Sequence, residues 1–258
     1  MKITVLAENT ANEMNLPCEH GLSLYIETDS QKILFDMGQT SLFSENAKAL
    51  GIDLTKVDIA VLSHGHYDHT GGLETFLSEN SHAPVYINRH AFGEHFNGKD
   101  KYIGINKAFE GNRRLVITDD CCTINENMQL FTCNNKKKKY EMSPCGLNIK
   151  TDKGFLPDPF LHEQYLKINE NGKTVLISGC SHKGILNIAE WFSPDILVGG
   201  FHFSKLPSDN ILKSYAEILN SYPTEFYTCH CTGKEQFDFM SKFMIKLKYI
   251  STADTVVI

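Results

Sequence analysis

The chain has 258 residues, 41% hydrophobic and 22% charged, an ordinary globular composition with enough apolar material for a sizeable core. Its formal net charge of −6 argues against broad nucleic-acid binding, which needs basic surface to neutralise phosphates. No run approaches the roughly 18–20 apolar residues that span a bilayer, and the opening residues Met1 to Glu8 turn acidic too soon for a signal peptide, so the expectation is a cytoplasmic protein with no membrane partner and eight reduced cysteines.

The first two predicted strands are Ser23–Thr28 and Lys32–Asp36, joined by the polar turn Asp29-Ser30-Gln31. A helix follows from Ser41 to Leu50, with Gly51 just past its end. The apolar run Val57–Leu62 reads as a buried strand and leads directly into a histidine-rich segment. Thr70-Gly71-Gly72 then turns the chain into a short helix over Leu73–Leu77, and Pro84–Ile87 is another strand. Residues 96–160 read as irregular, with strand-like pieces at Leu115–Ile117 and Gln129–Phe131, and are expected to form a substrate-shaping insertion. Within them Lys136–Lys139 reads as a solvated loop.

The last third alternates regularly. Strands are predicted at Thr174–Ser178, Asp195–Val198, Glu225–Thr228 and Thr255–Ile258, and helices at Ile185–Phe192, Asn210–Leu219 and Gln236–Leu247. Early strands followed by strand–helix alternation imply an α/β fold (α+β by some schemes) of two mixed sheets between helical layers, in one domain over 1–258.

Several predicted strands end on residues that bind metals: Asp36, His64, Cys180 with His182, His202 and His230. Ligand sites in α/β sheets gather at the carboxyl ends of strands, so residues distant in sequence can meet there. The sharpest motif is His64-x-His66-x-Asp68-His69. Three imidazoles and a carboxylate within six residues can serve two ions, His64 and His66 on one and Asp68 and His69 on the other. Zinc takes such nitrogen and oxygen ligands at about 2.0–2.2 Å. His82, His90 and His95 fall in no such pattern and are expected at the surface.

HGHYDHTGG is similar to the HxHxDH signature of the metallo-β-lactamase-like superfamily, and ILFDMG resembles its first motif. The resemblance implies a four-layer αβ/βα sandwich, with Asp36 supporting the ligating histidines from behind. EHGLS, ISGCSHKGILNI, LVGGFHF and CHCTG resemble a narrower branch, labelled 7,8-dihydropterin-6-yl-methyl-4-(β-D-ribofuranosyl)aminobenzene 5′-phosphate synthase-like. By position His230 matches the final metal histidine. Many relatives carry Gly-Asp where this chain has Gly179-Cys180, and that aspartate bridges two metals. Cys180 or His182 is the candidate ligand here, and a thiolate would favour zinc. His162, at the third motif, and His20, in a loop over the site, are candidates for substrate contact. His202 is a candidate catalytic group near the substrate.

These features imply two divalent ions, zinc first with manganese or iron as alternatives, and a small-molecule substrate. The expected activity is hydrolysis of a small phosphoester or other anionic substrate by hydroxide made available at neutral pH, with Asp68 orienting the nucleophile or taking its proton. A synthase-like transferase joining a pterin to a ribosylated aminobenzoate is the alternative that the branch implies. A non-catalytic metal-binding sensor is a third reading.

Overall fold

The computed structural model describes residues 1–12, 14, 16–141 and 145–258. The chain divides into two compact units: Met1–Asp119 with Gly146–Gln164 and Ser251–Ile258, and Asp120–Cys145 with Tyr165–Ile250.

The first unit is built on a seven-stranded mixed sheet. Its strand order is Thr255–Val257, Lys2–Ala7, Ser23–Glu27, Lys32–Phe35, Ile59–Val61, Val85–Asn88 and Leu115–Thr118. Lys32–Phe35, Ile59–Val61, Val85–Asn88 and Leu115–Thr118 run parallel to one another. The expected hairpin is present, with Leu24 opposite Phe35 and Glu27 opposite Lys32. Strand Lys2–Ala7 was not anticipated. All its residues after Lys2 are buried, so it lacks the polar–apolar alternation that marks a half-exposed strand. Helix Leu42–Ala49 buries Phe43 and Ala47, four residues apart and on one face. Helix Leu73–Glu79 buries Leu73 and Phe76 in the same core.

The segment 96–160 is less irregular than its composition suggested. Gly154–Pro157, Leu147–Thr151, His95–Asn97 and Lys101–Tyr102 form a four-stranded sheet of the first unit. These strands are two to five residues long and partly exposed, too short and too polar for periodicity to announce them. Residues 136–139 are exposed, as expected.

The second unit carries another seven-stranded mixed sheet, ordered Leu247–Tyr249, Glu225–Thr228, Ile196–Gly199, Lys173–Ile177, Tyr165–Glu170, Met128–Phe131 and Cys121–Asn125. The first four strands are parallel and the rest antiparallel. Helix Ile185–Phe192 packs Ile185, Leu186, Ile188 and Ala189 into this unit's core. Helix Asn210–Asn220 contributes Leu212, Ala216 and Leu219, spaced four and three apart. Asp209 caps that helix by accepting from the amides of Ile211 at 2.8 Å and Leu212 at 3.2 Å. The helix predicted to reach Leu247 stops at Met240. Leu247–Tyr249 instead pairs in parallel with Phe226–Thr228, so sheet pairing overrides a helical spacing of apolar residues.

Mixed sheets flanked by helices are thus the architecture of both units, as the α/β expectation required. None of the eight cysteines is joined in a disulfide.

Candidate metal centre

The first unit's site begins where two parallel strands end. Strand Lys32–Phe35 delivers Asp36, whose φ of 59° lies in the left-handed region. That conformation is costly for a residue with a Cβ, and it turns the carboxylate into the interior. Strand Ile59–Val61 leads to Ser63 and the histidine run. A Cβ at Gly65 would overlap the Ala91 carbonyl, and one at Gly71 the Gln39 carbonyl. Glycine is required at both places because another backbone passes against the motif.

Asp36 is buried and its oxygens are fully engaged. Oδ1 accepts from the Ser63 amide at 2.7 Å, and Oδ2 accepts from the Ser63 hydroxyl at 2.6 Å. His69 Nδ1 donates to the same Oδ2 at 2.7 Å. The Ser63 hydroxyl, having given its proton to Asp36, accepts from His64 Nδ1 at 2.8 Å. Both imidazoles therefore carry their proton on Nδ1, which leaves Nε2 as the lone-pair nitrogen. This is the arrangement that metal-ligating histidines adopt when a carboxylate supports them. The ring centroids of His64 and His69 lie 4.2 Å apart, and those of His64 and His66 4.5 Å. Burial, with the charge of His162 second, holds the His66 pKa well below 6.5, so its imidazole stays neutral, the form that binds metals. These residues fit a divalent ion.

Asp68 is buried, and its Oδ2 lies 3.2 Å from Nε2 of the exposed His20 and 3.8 Å from His69 Nε2. His20 thus stands over the motif, as anticipated. His162 is buried. Its Nδ1 accepts from the Gly65 amide at 2.9 Å, which places its proton on Nε2, 3.7 Å from Asp158 Oδ2. His162 is therefore in the opposite tautomer to His64 and His69.

His95 corrects an expectation. It is buried rather than at the surface, its Nδ1 is 2.6 Å from Asp158 Oδ2, and its ring stacks on His162 with centroids 3.9 Å apart. Burial alone would raise the Asp158 pKa, but hydrogen bonds from His162 and His95 overcome it and hold the carboxyl well below its usual range. One donor atom from each of His66, His95, Asp158 and His162 falls within 4.8 Å of the other three. A cavity of about 270 Å³ opens beside them, with Arg89, His90 and Phe92 also on its wall. Nothing in the sequence pattern singled out His95 or Asp158. They lie in short strands and turns more than 60 residues apart, in a segment without periodicity.

In the second unit, the ends of three parallel strands carry the remaining candidates. Cys180 and His182 follow Lys173–Ile177, His202 follows Ile196–Gly199, and His230 follows Glu225–Thr228. Left-handed backbone recurs there, with φ of 58° at Ser181, 58° at His202 and 50° at His230. Such conformations cost about 1–2 kcal/mol each and cluster at functional sites. The His182 and His202 ring centroids are 4.4 Å apart. Donor atoms of Cys180, His202 and Cys231 lie within 4.8 Å of one another. Burial disfavours a charged His202, yet hydrogen bonds with the thiols of Cys145 and Cys231 push its pKa up to about 10. Burial would raise the Cys231 pKa, but hydrogen bonds with Cys180 and His202 bring it well below 9.0. Cys231 adjoins His230 in the sequence, but without a CxxC pair the spacing did not mark it as a zinc ligand.

The metallo-β-lactamase superfamily profile matches residues 16–217. The chain belongs to the metallo-β-lactamase superfamily. Uncharacterized protein MJ0448 of Methanocaldococcus jannaschii is 32% identical, covering 90% of each chain. The 7,8-dihydropterin-6-methyl-4-(β-D-ribofuranosyl)-aminobenzene-5′-phosphate synthase of the same organism is 28% identical, over 94% of this chain and 92% of its own. Among solved structures, Tm1679, described as a metal-dependent hydrolase of the β-lactamase superfamily, superposes with a TM-score of 0.81 at 28% identity, covering 100% of this chain and 99% of its own. No helix among the described residues is long and apolar enough to cross a membrane.

Proposed function

We propose that this metallo-β-lactamase superfamily member is a metal-dependent hydrolase acting on a small phosphoester or another anionic substrate. The observation that carries the reading is the Asp36–Ser63 clamp, which sets His64 and His69 in one tautomer with Nε2 as the lone-pair nitrogen. That preparation costs a left-handed aspartate and a buried carboxylate, and metal ligation gives it a purpose. His64, His66, Asp68 and His69 are the proposed ligands. The proposed cofactor is a pair of divalent ions, zinc first.

Divalent ions in such a centre supply Lewis acidity and make hydroxide available near pH 7. The chain's own groups do the rest. Asp36 and Ser63 orient the imidazoles. Asp68, with His20 at its outer side, holds or accepts a proton within hydrogen-bond reach. His162 keeps its Nε2 proton toward Asp158, which fixes its ring at the wall of the 270 Å³ cavity. Arg89 on that wall supplies donors for an anionic group.

A synthase-type condensation is the second reading, favoured by the near full-length match to the Methanocaldococcus jannaschii synthase. One experiment separates the two. The metal-loaded protein is assayed against phosphomonoesters, phosphodiesters and lactones, and in parallel against a dihydropterin with a ribosylated aminobenzoate phosphate. Hydrolysis of any ester class supports the first reading. Condensation without hydrolysis overturns it in favour of the second.

A further inference from the structure

We propose that the second unit binds a soft divalent ion, zinc in kind, between the thiols of Cys180 and Cys231 and the imidazole of His202. All three donors lie within that unit. They come from three different strand ends yet fall within 4.8 Å of one another. Cys180 and Cys231 are buried, and the Cys231 thiol rests 3.5 Å from the Cys180 carbonyl oxygen. Two buried, reduced cysteines beside a histidine form an S₂N donor set. Thiolates select zinc or copper(I) over magnesium, calcium or manganese, which prefer oxygen. Such donors also suit tetrahedral zinc, with Zn–S distances of about 2.3 Å.

Independent features show that the backbone is arranged around these donors. His202 adopts a left-handed φ of 58°, a conformation that costs free energy for a residue with a Cβ. A Cβ at Gly200 would collide with the Cys231 sulfur, so glycine there makes the space that the thiol occupies. The Gly200 amide donates to the Gly179 carbonyl at 2.8 Å, tying the strand end before His202 to the one before Cys180. Water is left to supply the fourth donor of a tetrahedral ion. His202 becomes a ligand under this proposal rather than the acid–base group that the sequence suggested.

The test is cobalt(II) titration of the full-length reduced protein, read by absorption. Cobalt bound by thiolates gives an intense sulfur-to-metal charge-transfer band in the near ultraviolet, whereas cobalt bound by histidine and carboxylate alone does not. The wild-type protein is expected to develop this band at stoichiometric cobalt. The band weakens in C231S and is lost in the C180S/C231S double variant. H202Q keeps the thiolates but loses affinity, so its midpoint moves to higher cobalt. H64A retains the band, which separates this site from the histidine motif: a failure of the hydrolase reading leaves the band in place. A C18S/C121S/C122S variant, lacking the more exposed thiols, also keeps it. Absence of the band in the wild type overturns the proposal, whatever the variants' folding. So does its persistence in the double variant, or its loss in C18S/C121S/C122S.

Discussion

Replacing Asp36 tests how the histidine motif is prepared. The carboxylate accepts three hydrogen bonds, from the Ser63 amide, the Ser63 hydroxyl and His69 Nδ1, at 2.6–2.7 Å. In Asp36→Ala the hydroxyl can rotate away, but the Ser63 amide and His69 Nδ1 remain as buried donors without an acceptor. Each such loss costs about 1–3 kcal/mol, so the variant is expected to lose roughly 2–6 kcal/mol, a large part of the about 5–15 kcal/mol that holds a domain together. Asp36→Asn is the cleaner probe, because it keeps the shape and one oxygen. With its oxygen kept on the Ser63 amide, its NH2 group takes the Oδ2 place and accepts from neither the Ser63 hydroxyl nor His69 Nδ1, so both imidazoles lose their fixed tautomer. Removing such a support typically costs about 10–100-fold in metal affinity, or about 1.4–2.7 kcal/mol. Competition against a chromophoric chelator measures it, with thermal unfolding as the control. An Asp36→Asn protein that binds metal as tightly as the wild type would refute the clamp argument.

Other expectations follow from particular residues. His64→Ala or Asp68→Ala is expected to abolish turnover while circular dichroism stays unchanged, and full activity in a variant that has lost its metal would contradict the mechanism. Gly65→Ala is expected to retain the fold but lose metal affinity, because the new methyl forces the motif away from the Ala91 carbonyl, as equilibrium dialysis would show. Asp158 has a depressed folded pKa, so its contribution is present above the unfolded value of about 3.9 and is lost as pH falls toward the folded one. Asp158→Asn should therefore flatten the acid limb of the stability curve measured by urea unfolding between pH 5 and the lowest accessible pH. The proposed single-domain organisation predicts one cooperative unfolding transition, and two separated transitions in calorimetry would count against it.

The strands and helices of the last third were legible because their periodicity is strong and their boundaries coincide with burial, as at Ile185–Phe192 and Glu225–Thr228. The HxHxDH run stood out because six consecutive residues bring together three imidazoles and a carboxylate. What stayed hidden depends on contacts distant in sequence. His95 meets Asp158 across 63 positions, and no local pattern connects them. Lys2–Ala7 is buried on both faces, and Leu247–Tyr249 is a strand only because Phe226–Thr228 offers it an edge. The tautomers of His64 and His162 follow from a hydroxyl and a backbone amide, groups whose roles no spacing reveals.

Metal dependence of catalysis is the claim on which the account rests. Protein purified without added metal should contain divalent metal by elemental analysis. Stripping it with a chelator should abolish ester hydrolysis, and restoring zinc or manganese should recover it in the wild type but not in a His64→Ala/His69→Ala variant. Hydrolysis that continues undiminished in the stripped protein would contradict the account.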